Sequence, residues 1–168
     1  MFQLGITGGC AGGNYCPTNP VTRAQMAVFL LKALEGSSYV PPACTVETFT
    51  DVPCSNPFAP WIYELAARNI TGGCGGGNYC PGTTVTRQQM APFLLKTLNG
   101  SAYVPPPCTG GLSGDVMCPS LFADWIERLY VLGITGGCQA SPLNYCPNNP
   151  NTRGQMAIFL VKTFNLTW

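Results

Sequence analysis

The chain has 168 residues, a formal net charge of +1 and only 9% charged side chains, so it offers no basic surface able to neutralise a run of phosphates. Its longest apolar stretches, such as 27–31 and 93–95, fall far short of the roughly 20 residues needed to cross a bilayer. These features exclude nucleic acid and a membrane span, while 46% hydrophobic side chains suffice for a buried core.

Residues 1–4 run directly into repeat sequence without a basic start or a long hydrophobic region, so no signal peptide is expected there. Gly5-Ile-Thr-Gly-Gly-Cys10 opens the first motif. It recurs as Asn69-Ile-Thr-Gly-Gly-Cys74 and Gly133-Ile-Thr-Gly-Gly-Cys138, 64 residues apart each time. A glycine-rich loop follows, closed by Cys10 and Cys16. At Thr22 the spacing Thr-x-x-Gln (Thr22, Gln25) forms a capping box, and Met26, Phe29, Leu30, Ala33 and Leu34 behind it form an apolar helical stripe that Gly36 ends. Tyr39-Val-Pro-Pro-Ala-Cys44 then reads as a stiff extended connector.

Beyond Cys54 a helix is expected over 56–68, with Pro57 at its first position, and its counterpart over 120–132 has Ser120 as N-cap. Each places a tryptophan, Trp61 or Trp125, on an apolar face, where a core role is the plainest reading. Asn69 and Gly133, like Gly5, suit the left-handed position after a last helical turn. Second helices start at Thr86 and Thr152, with Gln89 and Gln155 completing capping boxes. Arg87 and Arg153 lie 66 residues apart because the third cysteine loop carries two extra residues. The organisation expected is an incomplete unit over 1–38 and complete units over 39–102 and 103–168. The partial unit is either a fragment or a half-repeat completed by another subunit, since repeat units bury their apolar faces against neighbours.

Ten cysteines point to an oxidising compartment and hence to export. Recurrence of each pair at the same place in successive units favours five local disulfides: Cys10/Cys16, Cys44/Cys54, Cys74/Cys80, Cys108/Cys118 and Cys138/Cys146. With no histidine and no Cys-x2-4-Cys spacing, neither a zinc site nor a redox pair is expected, and no cofactor is implied. The same lack of histidine removes the commonest general base and every Ser-His or Cys-His nucleophile. The seven carboxylates are spread along the chain, and only Asp124 and Glu127 share helical spacing, so the chain reads as a non-enzyme. Asn69-Ile-Thr71, Asn99-Gly-Ser101 and Asn165-Leu-Thr167 fit the short glycosylation pattern, which carries little weight alone.

Taken in order, Phe49-Thr-Asp51-Val52, Trp61, Leu65, Asn69-Ile-Thr-Gly72, Pro81, Thr86-Arg87-Gln88-Gln89-Met90-Ala91 and Phe93-Leu94 resemble one S-layer homology repeat. Leu112-Ser-Gly-Asp115-Val116 with Trp125, Gly133-Ile-Thr-Gly136 and Thr152-Arg153-Gly-Gln-Met-Ala157 resemble a second, and residues 5–34 the latter half of another. The family's usual glutamate in Thr-Arg-x-Glu is glutamine here. The resemblance implies an all-α, pseudo-threefold bundle of helix-loop-helix repeats with grooves that bind cell-envelope polysaccharide, often through an acidic pyruvylated sugar. It also implies that Arg23, Arg87 and Arg153 contact the anionic group, that Trp61 and Trp125 lie near the sugar, and that Asp51 and Asp115 shape the grooves. A salt bridge or surface contact near the cap is an equal alternative reading of the three arginines. The expected role is a secreted, cell-surface anchoring module. The alternative is a self-assembling subunit that forms homo-oligomers or polymers through its incomplete first repeat.

Overall fold

A computed structural model describes residues 4–10, 12–110 and 114–167. Leu112 and Ser113 of the second Asp-Val motif, and residues 1–3, lie outside the described residues. The helices are α1 (Arg23–Glu35), α2 (Ala59–Ala67), α3 (Arg87–Asn99), α4 (Ala123–Val131) and α5 (Arg153–Phe164). Between α4 and α5, β1 (Gln139–Ala140) and β2 (Leu143–Asn144) pair antiparallel. The all-α expectation is amended by this hairpin. Two inserted residues give the third cysteine loop enough length to pair, whereas the 74–80 loop has only an isolated bridge between Gly75 and Asn78.

Thr22, Thr86 and Thr152 start α1, α3 and α5 by one mechanism. Each hydroxyl accepts from the backbone N–H of Gln25, Gln89 or Gln155, and each glutamine side chain accepts from the threonine N–H in return. Gly36 and Gly100 end α1 and α3 at φ 99° and 91°, and Asn165 ends α5 at φ 50°. The other two helices start later than their sequences suggest. The Asn56 side-chain oxygen accepts from the Phe58 N–H at 2.9 Å and its carbonyl from the Ala59 N–H at 2.9 Å, so 56–58 is a turn that contains Pro57. It is Pro60 that occupies the first turn of α2. Ser120 is likewise outside its helix: its carbonyl accepts from the Ala123 N–H at 3.1 Å, and Phe122 is the N-cap of α4.

α1, α3 and α5 pack against one another, α2 lies against α1, and α4 lies against α3. The three mutually packed helices bury Met26, Met90 and Met156 with Leu30, Leu94 and Leu160 at matching positions. Just before the three caps, Val21 donates to the Asn151 carbonyl (2.9 Å), Asn151 to that of Val85 (2.8 Å), and Val85 to that of Val21 (2.9 Å). All three residues are buried, so these backbone groups need partners, and they find them in one another. The ring ties chain segments far apart in sequence into one core.

The cysteines close five disulfides, Cys10–Cys16, Cys44–Cys54, Cys74–Cys80, Cys108–Cys118 and Cys138–Cys146, with sequence separations of 6, 10, 6, 10 and 8. The loops they staple leave no room for a side chain at two glycines. Gly73 has φ 91°, and a Cβ there would overlap the Asn78 carbonyl oxygen and stand 3.0 Å from Phe49 Cε1. Gly73→Ala is expected to lower the unfolding free energy by at least about 2 kcal/mol in urea titrations. Gly82→Ala, whose Cβ would meet nothing within 4 Å, should stay near the parent. At Gly137 the matching Cβ would overlap the Asn144 carbonyl and stand 3.0 Å from Leu143 Cδ1. Leu143, from the inserted hairpin, thus takes the place beside Gly137 that the Phe49 ring takes beside Gly73.

Candidate functional site

Each arginine that follows a capping threonine turns inward. Arg23, Arg87 and Arg153 are 6%, 3% and 4% exposed. The Nε–H of Arg23 donates to the Tyr79 carbonyl (2.7 Å) and the Tyr79 hydroxyl donates back to the Arg23 carbonyl (2.9 Å). Arg87 and Tyr145 repeat the exchange at 2.7 and 2.8 Å, and Arg153 and Tyr15 at 2.8 and 2.9 Å. Each guanidinium also lies over its tyrosine ring, 4.7–4.9 Å from the centroid, and near a phenylalanine of another segment, Phe93, Phe159 or Phe29. The contacts run from Arg23 to the 74–80 loop, from Arg87 to the 138–146 loop, and from Arg153 back to the 10–16 loop. Burial pulls Arg23 and Arg87 below the usual arginine value, opposed by Tyr79 with Asp51 and by Tyr145 with Asp115, and guanidinium stays protonated near neutrality. Burial likewise pushes the Tyr79 and Tyr145 hydroxyls above the ordinary tyrosine value.

Both aspartates hold loop backbone. Asp51 accepts from the N–H groups of Tyr79 and Cys80, and Asp115 from those of Tyr145 and Cys146, all at 2.7 Å. The carboxylates therefore position the tyrosines that the arginines engage. Trp61 and Trp125 are half-buried and lie edge-on to Tyr39 and Tyr103, at 6.2 and 6.1 Å between centroids. Over their rings stand the ammonium groups of Lys32 and Lys96, at 5.7 and 5.8 Å.

Two grooves of similar make-up open beside these arginines. One, of about 500 Å³, brings Arg87 together with Thr135, Gly136, Gly137, Gln155 and Lys162. The other, of about 530 Å³, brings Arg153 together with Thr7, Gly8, Gly9, Gln25 and Lys32, and Phe58 closes one wall. Their floors differ in one contact. Arg153 Nη2 donates to Thr7 Oγ1 at 2.9 Å, whereas Arg87 Nη2 is buried without a partner among the described residues. The ion pairs found among the described residues both belong to Arg68, with Glu35 and Glu64, so neither groove's arginine and lysine are neutralised by one. Neither tryptophan and neither aspartate lines these two grooves. Sequence reasoning missed the lysines; their recurrence nine residues after each arginine was the available signal.

Residues 1–27 and 48–91 match the S-layer homology domain model. Those segments are S-layer homology sequence. The chain is 30% identical over 120 residues to the exoglucanase XynX of Acetivibrio thermocellus, covering 71% of this chain and 10% of that protein. It is 29% identical over 121 residues to an amylopullulanase of Thermoanaerobacterium thermosulfurigenes, covering 71% of this chain and 6% of that protein. A cellulosome-anchoring protein of A. thermocellus is 32% identical over 91 residues, covering 54% of this chain and 20% of that protein. The chain thus spans a fifth or less of the length of each relative. S-layer homology domains anchor proteins to cell-envelope polysaccharide; of the residues lining the two grooves, Thr7, Gly8, Gly9, Gln25, Phe58 and Arg87 lie in the matched segments.

Proposed function

We propose that the chain is a non-catalytic, exported module that holds a protein to cell-envelope polysaccharide through the grooves beside Arg87 and Arg153. The observation that carries this reading is the pairing, in both grooves, of a buried arginine and a lysine that are in no ion pair among the described residues, with a Thr-Gly-Gly backbone between them. Such a site favours a carboxylate-bearing sugar, since partly desolvated cations and backbone N–H groups both select anions. In this reading the units 1–38, 39–102 and 103–168 form a pseudo-threefold bundle. The cyclic Arg–Tyr exchange and the ring of Val21, Val85 and Asn151 support that arrangement. Trp61 stiffens the wall of the Arg153 groove through Lys32, Trp125 and Lys96 form the same contact outside the two grooves, and Asp51 and Asp115 act by fixing the loops.

Co-sedimentation with envelope sacculi tests the proposal. Lys32→Ala combined with Lys162→Ala should weaken binding at least tenfold, about 1.4 kcal/mol, and leave the far-ultraviolet circular dichroism unchanged. Added salt should weaken the parent further, as expected for charged contacts near the surface. Undiminished binding by the double variant would rule the grooves out.

A further inference from the structure

The two complete units fasten their connectors to the following helix by different chemistry. In the third unit carboxylates of α4 do it. Asp124 Oδ1 accepts from the Cys108 N–H at 2.9 Å, and Glu127 accepts from the Thr109 N–H at 3.1 and 3.0 Å, from the Thr109 hydroxyl at 2.7 Å and from the Gly110 N–H at 3.4 Å. In the second unit the residues 64 positions earlier are Pro60 and Tyr63, and neither is a carboxylate. Tyr63 stacks its ring on Phe49, 5.8 Å between centroids, and donates its hydroxyl to the Val52 carbonyl at 2.6 Å. Glu47 accepts from the Cys54 N–H there, a contact within the connector and not with α2.

The fastened residues border an apolar cavity. Cys108, Gly110 and Glu127 line it together with Val116, Ile126 and Leu143, and the Cys108–Cys118 bridge ties both ends of the connector to its edge. Gly137 lines this cavity and also the Arg87 groove. The Thr109 hydroxyl holds the Glu127 carboxyl below the usual glutamate value, with burial opposing and the Thr109 and Gly110 N–H groups adding to it. The ionisable groups packed around α4 are engaged with other partners. Lys96 of α3 stands over Trp125, Arg128 donates to the Tyr103 hydroxyl, Asp115 accepts from the Tyr145 and Cys146 N–H groups, and the Tyr145 hydroxyl donates to the Arg87 carbonyl. Tyr130 of α4 itself lines the cavity. A carboxyl whose value folding lowers stabilises the fold above its unfolded value and loses that contribution as pH falls, here from about pH 4.3 downward.

We propose that residues 108–110 are an acid-released strap: protonation of Asp124 and Glu127 lets them leave α4 and opens the cavity to solvent, while the second unit stays shut. A neutral carboxyl gives up the charge-assisted bonds that hold the three N–H groups. The Phe49–Tyr63 stack and the Tyr63 hydroxyl bond contain no carboxylate to titrate. Because Gly137 is shared, the release reaches the Arg87 groove and spares the one beside Arg153. The strap itself does not depend on the anchoring role.

The test follows the intact, oxidised chain from neutral to acid pH by the amide resonances of Thr109 and Gly110 and by the fluorescence of Nile red, an uncharged apolar dye. Both amide protons should move upfield with a shared midpoint below about pH 4.3. Dye fluorescence should rise at least fivefold over the same range, with the far-ultraviolet circular dichroism retained. Asp124→Ala combined with Glu127→Ala should bind the dye already at neutral pH and show no further rise in acid. Thr109→Val, which removes the hydroxyl, should raise the midpoint, because Glu127 loses the bond that lowers it. Dye uptake that comes only with loss of the helical signal overturns the proposal, as does an acid-dependent rise retained in the double alanine chain or an unchanged midpoint in Thr109→Val. None of these readouts uses polysaccharide.

Discussion

Replacing Arg87 by alanine is expected to lower the free energy of unfolding by about 3–4 kcal/mol, more than any loss of surface charge could produce. The side chain is 3% exposed, its Nε–H holds the Tyr145 carbonyl at 2.7 Å, and its guanidinium lies 4.7 Å from the Tyr145 ring centroid. A hydrogen bond from a charged donor contributes about 1.5–3 kcal/mol, a desolvated cation–π contact up to about 2, and the desolvation of the guanidinium offsets part of the sum. Arg87→Met should lose less, about 2 kcal/mol, because it keeps the volume while leaving the Tyr145 carbonyl without its donor. Urea denaturation with unchanged slopes would establish the order Ala below Met below parent. A stable, fully folded Arg87→Ala chain would instead place the arginine among the ligand-facing residues alone.

Reduction of the disulfides, with the thiols then blocked, should unfold the chain at ordinary temperature. Five closures spanning 6 to 10 residues contribute about 2.2–2.7 kcal/mol each in the chain-entropy view, and roughly 12 kcal/mol together. An ordinary domain has only about 5–15 kcal/mol in all. The loops are also where the arginine contacts begin, since Tyr15, Tyr79 and Tyr145 each immediately precede a bridged cysteine. Loss of a staple therefore frees the carbonyl that an arginine needs, and the ring of three contacts loosens with it. Circular dichroism melts of the reduced, blocked chain should show no cooperative transition. A melting midpoint within a few degrees of the oxidised protein would show that packing alone suffices.

Sequence by itself determined the unit and its local punctuation. The capping boxes at Thr22, Thr86 and Thr152, the glycine stops and the pairing of cysteines all depend on residues within about ten positions of one another, where chain connectivity limits the geometry. Helix starts at Ala59 and Ala123 were less legible, because the Asn56 side chain caps a turn that precedes its helix and the Ser120 carbonyl closes another. What the arginines do lay beyond the sequence. Arg23, Arg87 and Arg153 sit at helix starts that look exposed in isolation, and only packing against tyrosines 56 to 138 residues away turns them into buried ties. The exposure of Ile158 was equally hidden, since α5 carries the same stripe as α1 and α3 and differs in that, among the described residues, no further helix is laid across it. Local hydrogen bonding is written in neighbouring residues, whereas burial is a property of what arrives from elsewhere, and that is settled only when the segments close on one another.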